Sequence, residues 1–87
     1  MKNVLLAPRA QKELNFWAQE DAKMVLKIFA LISDIQRNPF LGLGKPELMR
    51  HNYKGLWSRR ITAEHRLVYS VTDEQIVIAA CRHHYDK

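Results

Sequence analysis

Met24, Val25, Ile28, Leu31, Ile32 and Ile35 recur at intervals of one, three and four residues, and Asn38-Pro39 closes the run. An apolar stripe of that period is one face of a helix, and it must be covered. Lys23, Lys27 and Asp34 fall outside the stripe, on the face expected to meet water. The cover has to come from a chain of 87 residues, too short for a second core, so a single domain over residues 1–87 is expected. Upstream, Val4-Leu5-Leu6 reads as a short buried strand. Pro8 suits the first turn of a helix, where its missing amide hydrogen would be unpaired anyway. Leu14, Trp17 and Ala18 share one face of that helix, and Asp21 suits the N-cap of the next.

The second half has a different period. Residues 38–56 hold all three glycines and two of the three prolines, and read as a long connection. Three short strands follow, over 57–62, 66–72 and 76–81. Leu67, Tyr69 and Val71 alternate to one face of the second, while the third is apolar on both faces. Turns at Ala63-Glu64-His65 and Asp73-Glu74 make an antiparallel meander. The fold class is therefore α/β (α+β): an N-terminal strand and a two-helix hairpin packed on a mainly antiparallel sheet.

The formal net charge is +5 and the pI about 9.7, which suits a polyanionic partner but is also common in small basic domains. Placement says more. Arg50, Lys54, Arg59, Arg60, Arg66 and Arg82 all fall in the second half, interleaved with Tyr53, Trp57, Tyr69 and Tyr85. Such a mixture can hold phosphates and stack bases, although Trp57 and Tyr69 suit the core better. Cys81 is the single cysteine, so no internal disulfide forms and a reducing cytoplasm fits. The apolar run at Val4–Ala7 is broken by Pro8-Arg9, too short for a signal peptide or a membrane span. Cys81, His83, His84, His51 and His65 lack the paired spacing of a zinc site, so no metal is expected.

Chemistry-bearing residues converge on one hairpin. Arg60 ends the first strand of the meander, Arg66 begins the second, and Glu64 lies in the turn between. Glu47 precedes them in the glycine-proline connection, and the tail after Cys81 can reach back over the sheet. Several words of the sequence then resemble the YoeB (Txe) toxins of the RelE superfamily. They are Asn38-Pro39-Phe40, Gly42-x-Gly44-Lys45-Pro46-Glu47, His51-Asn52, Gly55-x-Trp57-Ser58-Arg59-Arg60-Ile61-Thr62, Glu64-His65-Arg66-Leu67-Val68-Tyr69, and Ala79-Ala80-Cys81-Arg82 with His84-Tyr85. The likeness runs from Trp17 to Tyr85.

The resemblance implies a RelE-like fold and a ribosome-dependent endoribonuclease that cuts mRNA in the decoding site, with no cofactor. It implies Glu47 as general base, His84 as general acid and Arg66 as the cation that stabilises the transition state. Glu64, Arg60 and Tyr85 match supporting positions, and Arg59 and Arg50 join Arg60 in the set expected to face RNA. The implied partners are a YefM/Phd-like antitoxin, the 70S ribosome with its mRNA, and operator DNA through the antitoxin alone; a homodimer is compatible, a membrane is not. His83 stands where relatives carry tyrosine, and Asp86-Lys87 extend the tail. Neighbours in an extended tail point to opposite sides, and the motif assigns the acid to His84.

Residue chemistry supports the same scheme. A carboxylate lifted toward neutral pKa by partial burial can take the 2′-hydroxyl proton. Arginine can hold the charge that builds on the phosphate, and an imidazolium can protonate the departing 5′-oxygen. The alternative is a non-catalytic basic RNA- or ribosome-binding module whose carboxylates, Glu47 and Glu64 among them, are structural. A regulator that reaches DNA through its antitoxin is compatible with either.

Overall fold

The computed structural model describes residues 1–83. Its elements are β1 (Asn3–Leu6), α1 (Pro8–Glu20), α2 (Ala22–Arg37), β2 (Glu47–Leu48), a single 3-10 turn (His51–Tyr53), β3 (Trp57–Arg60), β4 (Arg66–Val71) and β5 (Gln75–Ala80). The sheet runs β1-β5-β4-β3-β2. Three of its four pairings are antiparallel, and β1 joins β5 in parallel. The first strand of the chain therefore lies against the last, and the helical hairpin is the start of the crossover between them.

Pro8 opens α1 as expected, and the amide of Ala7 just before it is tied to the carbonyl of Ile78. Asp21 alone separates the helices. Its amide donates to the Trp17 carbonyl and its own carbonyl accepts from Met24, but its side chain makes no capping bond. The buried face of α1 is Ala10, Glu13 and Trp17, a face rotated from the one expected, and Ala18 is exposed. The stripe on α2 is buried as expected at Met24, Ile28, Leu31, Ile32 and Ile35. These side chains meet Leu67, Tyr69, Ile76, Ile78 and Cys81 from the sheet. Each large apolar side chain fully buried there contributes roughly 1.5–3 kcal/mol.

Two threonines build the meander turns. The Thr62 hydroxyl accepts the amides of Glu64 and His65, and that of Thr72 accepts those of Glu74 and Gln75. The β4–β5 register jumps from Val68↔Ala80 to Tyr69↔Ile78, leaving Ala79 as an extra, bulged residue. The bulge reverses the in–out phase of β5. Ala80 then joins Met49 and Val68 in a small cluster on the far face of the sheet, while Cys81 returns to the helix side. Tyr53 and Leu56 complete that cluster, so the end of the long connection folds beneath the sheet. Among the described residues no helix is long and apolar enough to cross a membrane.

Candidate active site

Arg59 and Arg60 are adjacent on β3, and the two-residue period of a strand sends them to opposite faces. Arg59 points to the helix side and is fully buried. All its N–H groups find partners. Nε donates to Tyr69 Oη (3.2 Å), and Nη1 donates to Asp34 Oδ2 (2.6 Å) and the Leu43 carbonyl (3.0 Å). Nη2 donates to the carbonyls of Asn38 (2.6 Å) and Leu41 (3.1 Å). The Tyr69 hydroxyl, its pKa raised by burial, donates in turn to the Pro39 carbonyl. This is a correction on two counts. Arg59 does not face RNA, because a guanidinium has five donors and all five are engaged inside the protein. Asp34 does not face solvent, because it is the counter-ion of that buried charge.

The Asp34 carboxylate also accepts the Leu43 amide and the Arg37 guanidinium. The Leu43 amide first, then Arg59 and Arg37, hold its pKa down to about 2. Gly42 lies against it at a φ of +129°, and a Cβ there would stand 2.1 Å from Asp34 Oδ2. The words Asn38-Pro39 and Gly42-x-Gly44 thus encode a loop wrapped around one arginine. Anchored this way, the loop delivers the chain to β2.

On β2, Glu47 pairs with Ser58, which pairs with Val68. Arg60 lies two residues beyond Ser58 and Arg66 two before Val68, at paired positions of β3 and β4. By strand alternation Glu47, Arg60 and Arg66 share the face away from the helices. Arg66 Nη1 stands 3.8 Å from Glu47 Oε1, an ion pair too long for a hydrogen bond. The Arg66 side chain is 15% exposed and that of Glu47 67% exposed. The partial burial expected of Glu47 is absent, and so is the loop conformation, since Glu47 sits in a short strand. Arg66 Nε is buried without a hydrogen-bond partner among the described residues. Two arginines directly across a strand pair repel each other, so an anion over them would be stabilising.

The tail is gripped as it leaves β5. The Cys81 amide donates to Glu13 Oε1 (2.7 Å) and its carbonyl accepts from Trp17 Nε1 (3.0 Å). Arg82 places its guanidinium 3.5 Å from the centre of the Phe16 ring. The His83 amide donates to His65 Nδ1 (2.8 Å), and its carbonyl accepts the Arg66 amide (3.0 Å). His84 and Tyr85 lie outside the described residues. Glu64 is exposed in the β3–β4 turn and forms no ion pair with Arg60 or Arg66 among the described residues. Arg50 is exposed between β2 and the 3-10 turn. Burial, then the nearby Glu13 carboxylate, push the Cys81 thiol up to about 12, so it carries no thiolate at neutral pH. Among the described residues no group of three or more His, Cys, Asp or Glu could hold a metal ion. Glu13, Asp34 and His65 act at a distance in sequence, and nothing in the local pattern marks them.

The sequence model for the YoeB-like toxin of bacterial type II toxin–antitoxin systems matches residues 6–85. Toxin YoeB of Escherichia coli (strain K12) is 59% identical over 70 residues, which is 80% of this chain and 83% of that protein. The YoeB dimer from Staphylococcus aureus superposes with a TM-score of 0.90 at 46% identity, covering 97% of this chain and 98% of that one. YoeB in the heterotetrameric YoeB–YefM complex from the same organism gives 0.87 at 45% identity, covering 98% and 99%. This chain belongs to the YoeB-like toxins of bacterial type II toxin–antitoxin systems.

Proposed function

We propose that this toxin is an endoribonuclease that cuts mRNA in the ribosomal A site and so stops translation. One observation carries the reading: Glu47 and Arg66 stand together on the open face of the sheet, with Arg66 Nε lacking a partner among the described residues. A phosphodiester laid over Arg66 would meet a guanidinium that makes no hydrogen bond through its side chain among the described residues, and it would displace the loose ion pair with Glu47. Glu47 then takes the 2′-hydroxyl proton, and the 2′-oxygen attacks the phosphorus. Arg66, with Arg60 beside it, stabilises the charge on the non-bridging oxygens. His84 gives a proton to the departing 5′-oxygen, with Tyr85 in support. The products are a 2′,3′-cyclic phosphate and a 5′-hydroxyl. Exposure of Glu47 suits a site completed by its substrate, since RNA and ribosome would bury it on binding.

Arg50 and the basic surface suit rRNA contacts, which fits a 70S partner. The S. aureus relatives, one a dimer and one bound to YefM, support a YefM-like antitoxin and a homodimer here. DNA would be reached through the antitoxin, and the cytoplasm is where mRNA and ribosome meet. The test is incubation with mRNA-programmed ribosomes, wild type against Glu47→Gln, with mapping of new 5′ ends. The expected result is A-site cleavage by wild type, a loss of at least about a hundredfold in Glu47→Gln, and weak cleavage of free RNA. Equal cleavage by both proteins would overturn the assignment. Binding without cleavage by wild type would favour a non-catalytic module.

A further inference from the structure

We propose that His65 is a positioning residue: it fixes the backbone of His83, the residue from which the chain continues to His84, against Arg66. The inference rests on the endoribonuclease reading above and adds a residue to it. The sheet ladder stops holding this strand at Ala80, so the next amides and carbonyls need other partners. Glu13 and Trp17 take the amide and carbonyl of Cys81, and the Arg82 side chain lies over the Phe16 ring. His83, the last described residue, is held on both sides of its backbone, by His65 Nδ1 and by the Arg66 amide. The carbonyl bonded to Arg66 is the one that carries the peptide bond into His84. The acid's attachment point therefore lies on the strand that bears the phosphate-binding arginine.

His65 is suited to this task. Its Nδ1 must carry a lone pair to accept the His83 amide, which puts the ring hydrogen on Nε2. The ring stands edge-on to Trp17 at 4.8 Å, and the Thr62 hydroxyl ties down its backbone. His83 adopts a φ of +80°, a conformation costly for any side chain other than glycine, and it persists because its neighbours enforce it.

Two substitutions separate the lone pair from the ring. His65→Phe keeps the contact with Trp17 and removes the acceptor; His65→Asn keeps an acceptor near the Nδ1 position and removes the ring. Cleavage of programmed ribosomes is measured as kcat and KM, alongside hydrogen exchange at the His83 amide and the melting temperature. The expected result for His65→Phe is faster exchange at His83, a kcat lower by about a hundredfold and a KM nearly unchanged, as for a misplaced catalytic group. His65→Asn should stay within roughly tenfold of wild-type kcat. Wild-type kcat in His65→Phe, or an equal fall in both variants, overturns the proposal. Should His65→Phe fail to fold, His65→Gln, whose acceptor lies near the Nε2 position, is read in its place and should lose kcat likewise. Failure of the wild type to cleave would instead overturn the endoribonuclease reading itself.

Discussion

Arg59 and Arg66 sit on neighbouring strands and carry the same group, yet their surroundings are opposite. Arg59 is sealed on the helix side of the sheet, with a carboxylate at 2.6 Å and every donor occupied. Arg66 lies on the other side, with a carboxylate at 3.8 Å and a buried Nε without a partner among the described residues. A saturated guanidinium has nothing left to offer a ligand, and its removal strands the groups that surround it. A guanidinium with unused donors costs stability in the empty protein and gains interaction when an anion arrives. Arg59 thus holds the fold, whereas Arg66 leaves donors unused among the described residues, although the two are seven residues apart in a stretch where every arginine looks alike.

The largest effect expected from breaking this contrast is on the Arg59 side. Arg59→Ala leaves Asp34 without its buried counter-ion and the carbonyls of Asn38, Leu41 and Leu43 without their Arg59 donor. It should destabilise the fold by about 3–5 kcal/mol, read from urea unfolding. Arg59→Lys should recover only part of that, since one ammonium cannot reach five acceptors.

Acid should act on the same buckle more gently. The Asp34 carboxyl is held at about 2 against an ordinary 3.8. A depressed carboxylate stabilises the fold fully above the unfolded value, and the contribution is lost as pH falls from there through the folded value. On the order of 2 kcal/mol should therefore disappear between pH 5 and pH 2. Urea midpoints across that range should fall less steeply in Asp34→Asn, which has no carboxylate to protonate; identical slopes would remove Asp34 as the cause.

The smallest change is expected at Glu64. Its side chain is exposed and pairs with neither arginine among the described residues. Glu64→Gln should shift stability by less than about 0.5 kcal/mol. A substantial fall in cleavage by that variant would mean that Glu64 engages substrate, and would widen the reactive group beyond Glu47 and Arg66.

The sequence made most of the architecture legible because it depends on local period. The stripe on α2 and the alternation on β4 are one-dimensional signals, and both elements formed where expected. Pairings across distance were not legible. Asp34 read as a surface charge on an amphipathic helix, because its partner lies 25 residues on. Nothing in the sequence marks Glu13, which accepts an amide 68 residues away. The single-residue bulge at Ala79 leaves no mark beyond two alanines. Within the site, the order of the elements allows Glu47 to meet Arg66, and the motif singles out the pair. The burial of Arg59 did have a usable signal. It alternates with Ser58 and Arg60, so a strand that points Trp57 into the core must point Arg59 there too.

The division of labour between the two arginines is tested most directly by Arg66→Ala, measured for melting temperature and for cleavage of programmed ribosomes on the same preparation. The expected result is a melting temperature within a few degrees of wild type and a loss of cleavage of about a hundredfold to a thousandfold. An unfolded or strongly destabilised Arg66→Ala, or one that cleaves at the wild-type rate, would contradict the account.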